Sequence, residues 1–257
     1  TEAIYLANAD RGGERRLSER TDAGRGQFVS SPAWSPDGRR IAFASNMDGV
    51  YRIYLTDAQG GPARALTEGS SPTWSPDGDR LAFSSNRGPG MRFGIYLTQL
   101  DGGGPPRRIT GGLAPDWSPE GTAIVFERLV DGASDVFVSD PAGDRLGNLT
   151  RSPADDRDPD WSPDGDSIVF ASDRDGDLDL YVMDADGSDV RRLTDQPGDE
   201  RWPEWAPDGT VIAYARRTPT TSEIWLVSAS GGRPTRLTSG PWFDTAPAWR
   251  PLRAVAR

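Results

Sequence analysis

Carboxylates at a fixed spacing are the chemistry this sequence offers. Asp116, Asp160 and Glu204 each stand immediately before a tryptophan and lie 44 residues apart, and Asp156, Glu200 and Asp244 repeat the same interval four residues upstream. Acids gathered at one place repel one another and favour a hard cation such as calcium or a cationic partner group. The first trio is therefore a candidate metal set, and all six are candidates for a partner site. Arg157 and Arg201 are interleaved with them, and a plainer reading has these arginines neutralising the acids in a ring of ion pairs. Trp202, Trp242 and Phe243, with Phe28, read as aromatics on loops leading into the same segments, the residue types from which interface hot spots are made.

Other chemistry is excluded by composition. The 257 residues include no histidine and no cysteine, and all 29 basic residues are arginine. A Ser-His-Asp triad, a thiol nucleophile, a lysine Schiff base, a disulfide and a usual zinc site are all ruled out. No G-x-S-x-G nucleophile elbow occurs. The formal charge of −10 argues against a nucleic-acid partner, and no apolar run reaches the ~18 residues of a membrane span.

The elements that position the acids follow from an internal repeat. Trp34, Trp74, Trp117, Trp161, Trp205 and Trp249 recur at intervals of 40, 43, 44, 44 and 44, each with a proline two residues before it. Five run on into a turn: WSPDG at 34–38, 74–78 and 161–165, WSPEG at 117–121 and WAPDG at 205–209. Proline presets the backbone and glycine supplies the left-handed residue, so the turn acids read as scaffold rather than as catalysts. Alternating runs follow, such as Ile41/Phe43 and Ile168/Phe170, then Ile53-Tyr54-Leu55 and Leu180-Tyr181-Val182, then Leu66-Thr67 and Leu193-Thr194. Short β-branched and aromatic runs separated by Gly-containing turns are strands. Four strands in about 43 residues make one propeller blade.

The predicted fold is an all-β, six-bladed propeller of four-stranded antiparallel blades, one domain over 1–257. Its ring is expected to be closed by N-terminal strands around Ile4–Leu6 and Leu17–Ser18 pairing in the same blade as the C-terminal strand at Pro247–Arg250, with the second strand of that blade unassigned. Asp173–Asp179 resembles a calcium loop but has its glycine at the wrong place for an EF-hand, and reads as a hairpin.

The succession PxWSPDG, IAFAS, IYLTDA and RxLT resembles the WD40-like repeat of TolB-type β-propellers, from Ile4 to Pro251. That resemblance implies a periplasmic or extracellular, non-enzymatic scaffold that engages a protein, peptide or small ligand at the channel mouth. No cofactor is expected to be required, the acids allow calcium in the channel, and a monomer is expected. The same repeat occurs as the propeller of larger peptidases and of membrane-bound sensors, which is the alternative. A carboxylate-based hydrolase or lyase ranks behind both. TolB's additional N-terminal α/β domain is not found in the sequence.

Overall fold

The computed structural model describes residues 3–9, 13, 15–17, 28–87, 92–240 and 243–252. Among them all regular structure is β-strand. Strands β1 (Tyr5–Leu6) and β2 (Arg15–Arg16) form a two-stranded hairpin. Blade one follows as β3 (Val29–Trp34), β4 (Arg40–Ser45), β5 (Arg52–Asp57) and β6 (Arg64–Glu68). Blade two is β7 (Ser70–Trp74), β8 (Arg80–Ser85), β9 (Gly94–Gln99) and β10 (Arg107–Gly111). Blade three is β11 (Leu113–Trp117), β12 (Ile124–Val130), β13 (Ala133–Ser139) and β14 (Leu146–Asn148). Blade four is β15 (Asp156–Trp161), β16 (Ser167–Ser172), β17 (Asp179–Asp184) and β18 (Arg191–Arg192). Blade five is β19 (Asp199–Trp205), β20 (Val211–Arg217), β21 (Ser222–Ser228) and β22 (Thr235–Arg236). Each sheet is antiparallel in sequence order, and the first strand of each packs on the first strand of the next.

The propeller therefore has five blades, and the expectation of six is corrected. Six tryptophans mark six inner segments, but a blade needs backbone pairing across four strands. β1 and β2 pair only with each other, and residues 244–252 belong to no strand. Nor do the terminal segments share a sheet, as the closure expectation required. No described residue supplies a strand to lie between them; Ser18 and 253–257 lie outside the described residues. Side chains make the junction instead. Ile4 and Leu17 pack with Ile41, Phe43 and Tyr54 of blade one. Trp249 packs against Ala213, Ala215 and Ile224 of blade five. Arg250 donates to the carbonyl of Gly38 at 3.0 Å and lies over the Trp34 ring, so the chain's last described segment reaches from blade five back to blade one.

The core lies between blades. The second and third strands supply a stacked ring pair in four of them: Phe43–Tyr54, Phe83–Tyr96, Phe126–Phe137 and Phe170–Tyr181. The turn motif works as its residues suggest. In blade one Ser35 Oγ donates to Asp37 Oδ1 at 2.6 Å, Asp37 accepts from the Arg39 amide, and Gly38 takes a φ of 64°. Hydrogen bonds from Ser35 and the Arg39 amide hold the Asp37 carboxyl below its usual value. Asp173–Asp179 is the predicted hairpin, with Gly176 N–H donating to the Asp173 carbonyl at 3.0 Å.

Candidate functional site

A bulge in every inner segment sets the direction of the candidate residues. The position three before each tryptophan, occupied by Ser31, Ser71, Ala114, Asp158, Trp202 and Ala246, has φ between 47° and 53°. None is glycine, so each carries left-handed strain of about 1 kcal/mol that the blade must offset. The register shifts here in all five blades, between Ser30 and Ala33 in the first and between Arg201 and Glu204 in the fifth. The following proline and the residue before the tryptophan are thereby turned toward the neighbouring blade.

Asp116, Asp160 and Glu204 are brought together by this device, on β11, β15 and β19. Their first task is to join blades. Asp116 accepts the Trp161 amide at 3.0 Å and the Thr73 hydroxyl at 2.9 Å, so it touches blades on both sides. Asp160 accepts the Trp205 amide at 2.8 Å. Asp116 and Asp160 also share a hydrogen bond, and Glu204 lies close enough for its charge to act on both. Burial holds all three carboxyls above the usual carboxylate range. Neighbouring negative charge raises Asp160 and Glu204 further, so protons are shared within the trio near neutral pH. Among the described residues no group of three or more acids is spaced to hold a metal ion. In this geometry the trio clamps neighbouring blades through the amides of Trp161 and Trp205.

Asp156 and Glu200 do not join them. Both are fully buried at the starts of β15 and β19. Asp156 is paired with Arg174 Nη2 at 3.0 and 3.2 Å, and Glu200 accepts the Thr194 hydroxyl. Asp244 is held through its backbone, its amide donating to the Ser222 carbonyl at 2.8 Å. The two arginines find partners other than these six acids. Arg157 pairs with Asp155 at 2.8 Å, and Arg201 Nε reaches Asp158 at 2.6 Å.

Trp202 lies within β19, not on a loop. It is half-buried against Ala213, Ala215 and Ile224, with Arg201 stacked 5.1 Å from its ring. Phe243 is 58% exposed and bridges to Ser222, and Phe28 is 44% exposed. Trp242 lies outside the described residues.

Residues that motif spacing missed complete the region. Asp158, at the bulge of β15, binds Arg201 and the Trp202 amide, while its own amide donates to Glu127 Oε2 at 3.2 Å. Burial, then the Asp158 charge, pushes the Glu127 carboxyl up. Asp135 accepts from Asn148, Thr150 and the Ser152 amide. Signals for these existed: DRDPD at 156–160 carries an acid on every second residue, and Glu127 interrupts the apolar run IVFERLV.

Exposed apolar side chains divide the two rims. Phe28, Tyr51, Phe93, Leu129 and Phe243 lie at or beside the starts of inner segments or the connections between second and third strands, which share one rim by topology. Among the described residues, the exposed large apolar side chains on the rim of the Pro-Asp-Gly turns are Leu146, Val190 and Leu252.

The TolB β-propeller domain model matches residues 2–113 and 107–251. A TolB homologue of Protochlamydia amoebophila (strain UWE25) is 42% identical over 45 residues, which is 18% of this chain and 10% of that protein. Among solved structures, a TolB candidate from Agrobacterium tumefaciens superposes with a TM-score of 0.82 at 24% identity, covering 97% of this chain and 94% of the other. TolB of Acinetobacter baumannii gives 0.85 at 24% identity, over 97% of this chain and 63% of that one. A puromycin-hydrolysing peptidase of Mycobacterium tuberculosis gives 0.64 at 19% identity, over 88% of this chain and 39% of that one. With repeat, blade and family model in agreement over nearly all its length, the chain belongs to the TolB β-propeller domain family.

Proposed function

We propose that this propeller is a non-enzymatic scaffold that engages a protein or peptide on the rim where the inner segments begin, in a periplasmic or extracellular setting. The observation that carries the reading is the placement of four exposed aromatic rings, Phe28, Tyr51, Phe93 and Phe243, with Leu129 on that rim, against the aliphatic Leu146, Val190 and Leu252 among the described residues of the other. Apolar residues concentrated on one loop-bearing face favour association. The inner-strand carboxylates Asp116, Asp160, Asp156 and Asp158 are engaged by backbone amides, a hydroxyl or arginines. The test is photo-crosslinking in cells of the source organism, with the probe placed at Tyr51 or Phe93 and, as a control, at Val190. Adducts from the first two alone are expected, and equal labelling from Val190 counts against the rim.

A second reading is favoured by the peptidase superposition, in which this chain matches 39% of a longer protein. There the same propeller is one part of a larger chain and its rim faces another domain. In that case the Tyr51 and Phe93 probes give intramolecular adducts in the full-length protein.

A further inference from the structure

The acid five residues before the blade tryptophan is accommodated in two ways. In blade four, Asp156 is fully buried and its charge is met by two contacts from Arg174. In blade five, Glu200 is just as buried and forms no ion pair among the described residues. The nearby arginines are committed elsewhere. Arg192 on β18 pairs with Asp179 at 2.5 Å, and Arg216 Nε donates to the Pro197 carbonyl at 3.0 Å.

Arg216, opposite Glu200 on β20, is the one cation whose charge acts on it, without an ion pair; the other groups facing it are polar or negative. The Thr194 hydroxyl, on the chain leaving β18, occupies Oε2, while Oε1 has no hydrogen-bond partner. From β20 the Tyr214 hydroxyl approaches it, itself buried and without a hydrogen bond of ordinary geometry. From β17 the charge of Asp179 acts on it, and Asp179 Oδ1 is also bare. Asp175 and Asp177 add further negative charge around Asp179. Tyr214 stands where the other four blades place Phe43, Phe83, Phe126 and Phe170, so a hydroxyl enters this core only where the unpaired acid is. A buried carboxylate without an ion pair, acted on by a second buried carboxylate, is relieved by taking up a proton.

We propose that Glu200 is a buried proton switch at the junction of blades four and five, neutral on the acidic side and ionised on the alkaline side, where repulsion from Asp179 loosens β19 and the rim it supports. The link to the rim rests on the function proposed above, because β19 begins on that rim, at Asp199 beside Glu200. Burial, opposed by the Thr194 hydrogen bond and aided by Asp179, pushes the Glu200 carboxyl up to about 7 from an ordinary 4.5. The folded state thus binds this proton more tightly than the unfolded chain. The associated stability is complete below about 4.5 and is lost as pH rises through about 7.

Thermal melts of the full chain at pH 5 and pH 8, for wild type and Glu200→Gln, test the switch without any partner. Wild type is expected to lose about 5 °C more than the variant over this interval. Equal losses overturn the proposal. Should Glu200→Gln fail to fold, Tyr214→Phe serves: removing a hydroxyl that favours the ionised acid moves the midpoint of the melting profile to higher pH, and an unmoved midpoint overturns the proposal. Hydrogen exchange, corrected for intrinsic rate, should quicken at pH 8 in 199–205 but not in 156–161. Uniform change overturns the local coupling while leaving the rim crosslinking result untouched.

Discussion

Blades one and two differ from blades three to five at the same structural positions. Before the blade tryptophan the first pair has Ala33 and Thr73, and the later three have Asp116, Asp160 and Glu204. Two residues before the third-strand aromatic, the first pair has Arg52 and Gly94, and the later three have Asp135, Asp179 and Glu223. One residue earlier, Tyr51 and Phe93 are 44% and 47% exposed, whereas Ser134 within β13 and Ser222 within β21 are 8% and 1% exposed. At these aligned positions blades one and two show aromatic surface, and blades three to five enclose charge. Residues shared by all blades build the turns and the ring stacks. Residues that vary by sector decide what the surface offers and how the interior responds to protons.

The comparison breaks first, or holds, in the core. Phe83→Ala and Phe170→Ala remove fully buried rings from the two sides, and each should cost about 3–5 kcal/mol in urea unfolding. Similar losses would confine the difference between the sides to polar positions; a gap of more than about 2 kcal/mol would mean the scaffold itself differs.

A smaller effect is expected from extending the acidic side by one blade. Thr73→Asp replaces a hydroxyl that donates to Asp116 with a carboxyl facing it. At pH 5 a shared proton can bridge the two, while at pH 8 both tend to ionise, so the penalty should grow with pH to about 2 kcal/mol. Denaturant midpoints at the two pH values give the sign directly, and a penalty that shrinks with pH would show that Asp116 stays protonated.

The least effect belongs to the turns. Ser35→Ala removes bonds to Asp37 and to the Arg40 amide and should cost about 1 kcal/mol, whereas Ser118→Ala in blade three, where Glu120 replaces the aspartate, should cost less. Melting temperatures of the two variants order them.

Much of the fold was legible because its causes are local. A proline, an acid and a glycine after each tryptophan specify a turn, and alternating Ile and Phe specify a strand buried on both faces. Blade number was not legible in this way. Trp249 carries the motif of an inner segment, yet its neighbours form no sheet, because pairing depends on a strand that no described residue brings beside it. For the site, the interval of 44 puts Asp116, Asp160 and Glu204 at equivalent places on β11, β15 and β19, but residue types alone do not reveal that Asp116 and Asp160 accept the amides of Trp161 and Trp205.

By itself the sequence determined the repeat, the turn chemistry and the mechanisms barred by the lack of histidine, lysine and cysteine, since each depends on residue type and short-range geometry. Only the tertiary structure decided that the four-stranded sheets number five among the described residues, that Arg157 and Arg201 serve Asp155 and Asp158, and that Asp156 is ion-paired while Glu200 is not. Those outcomes turn on a few ångströms between blades, set by a left-handed bulge that no residue type announces.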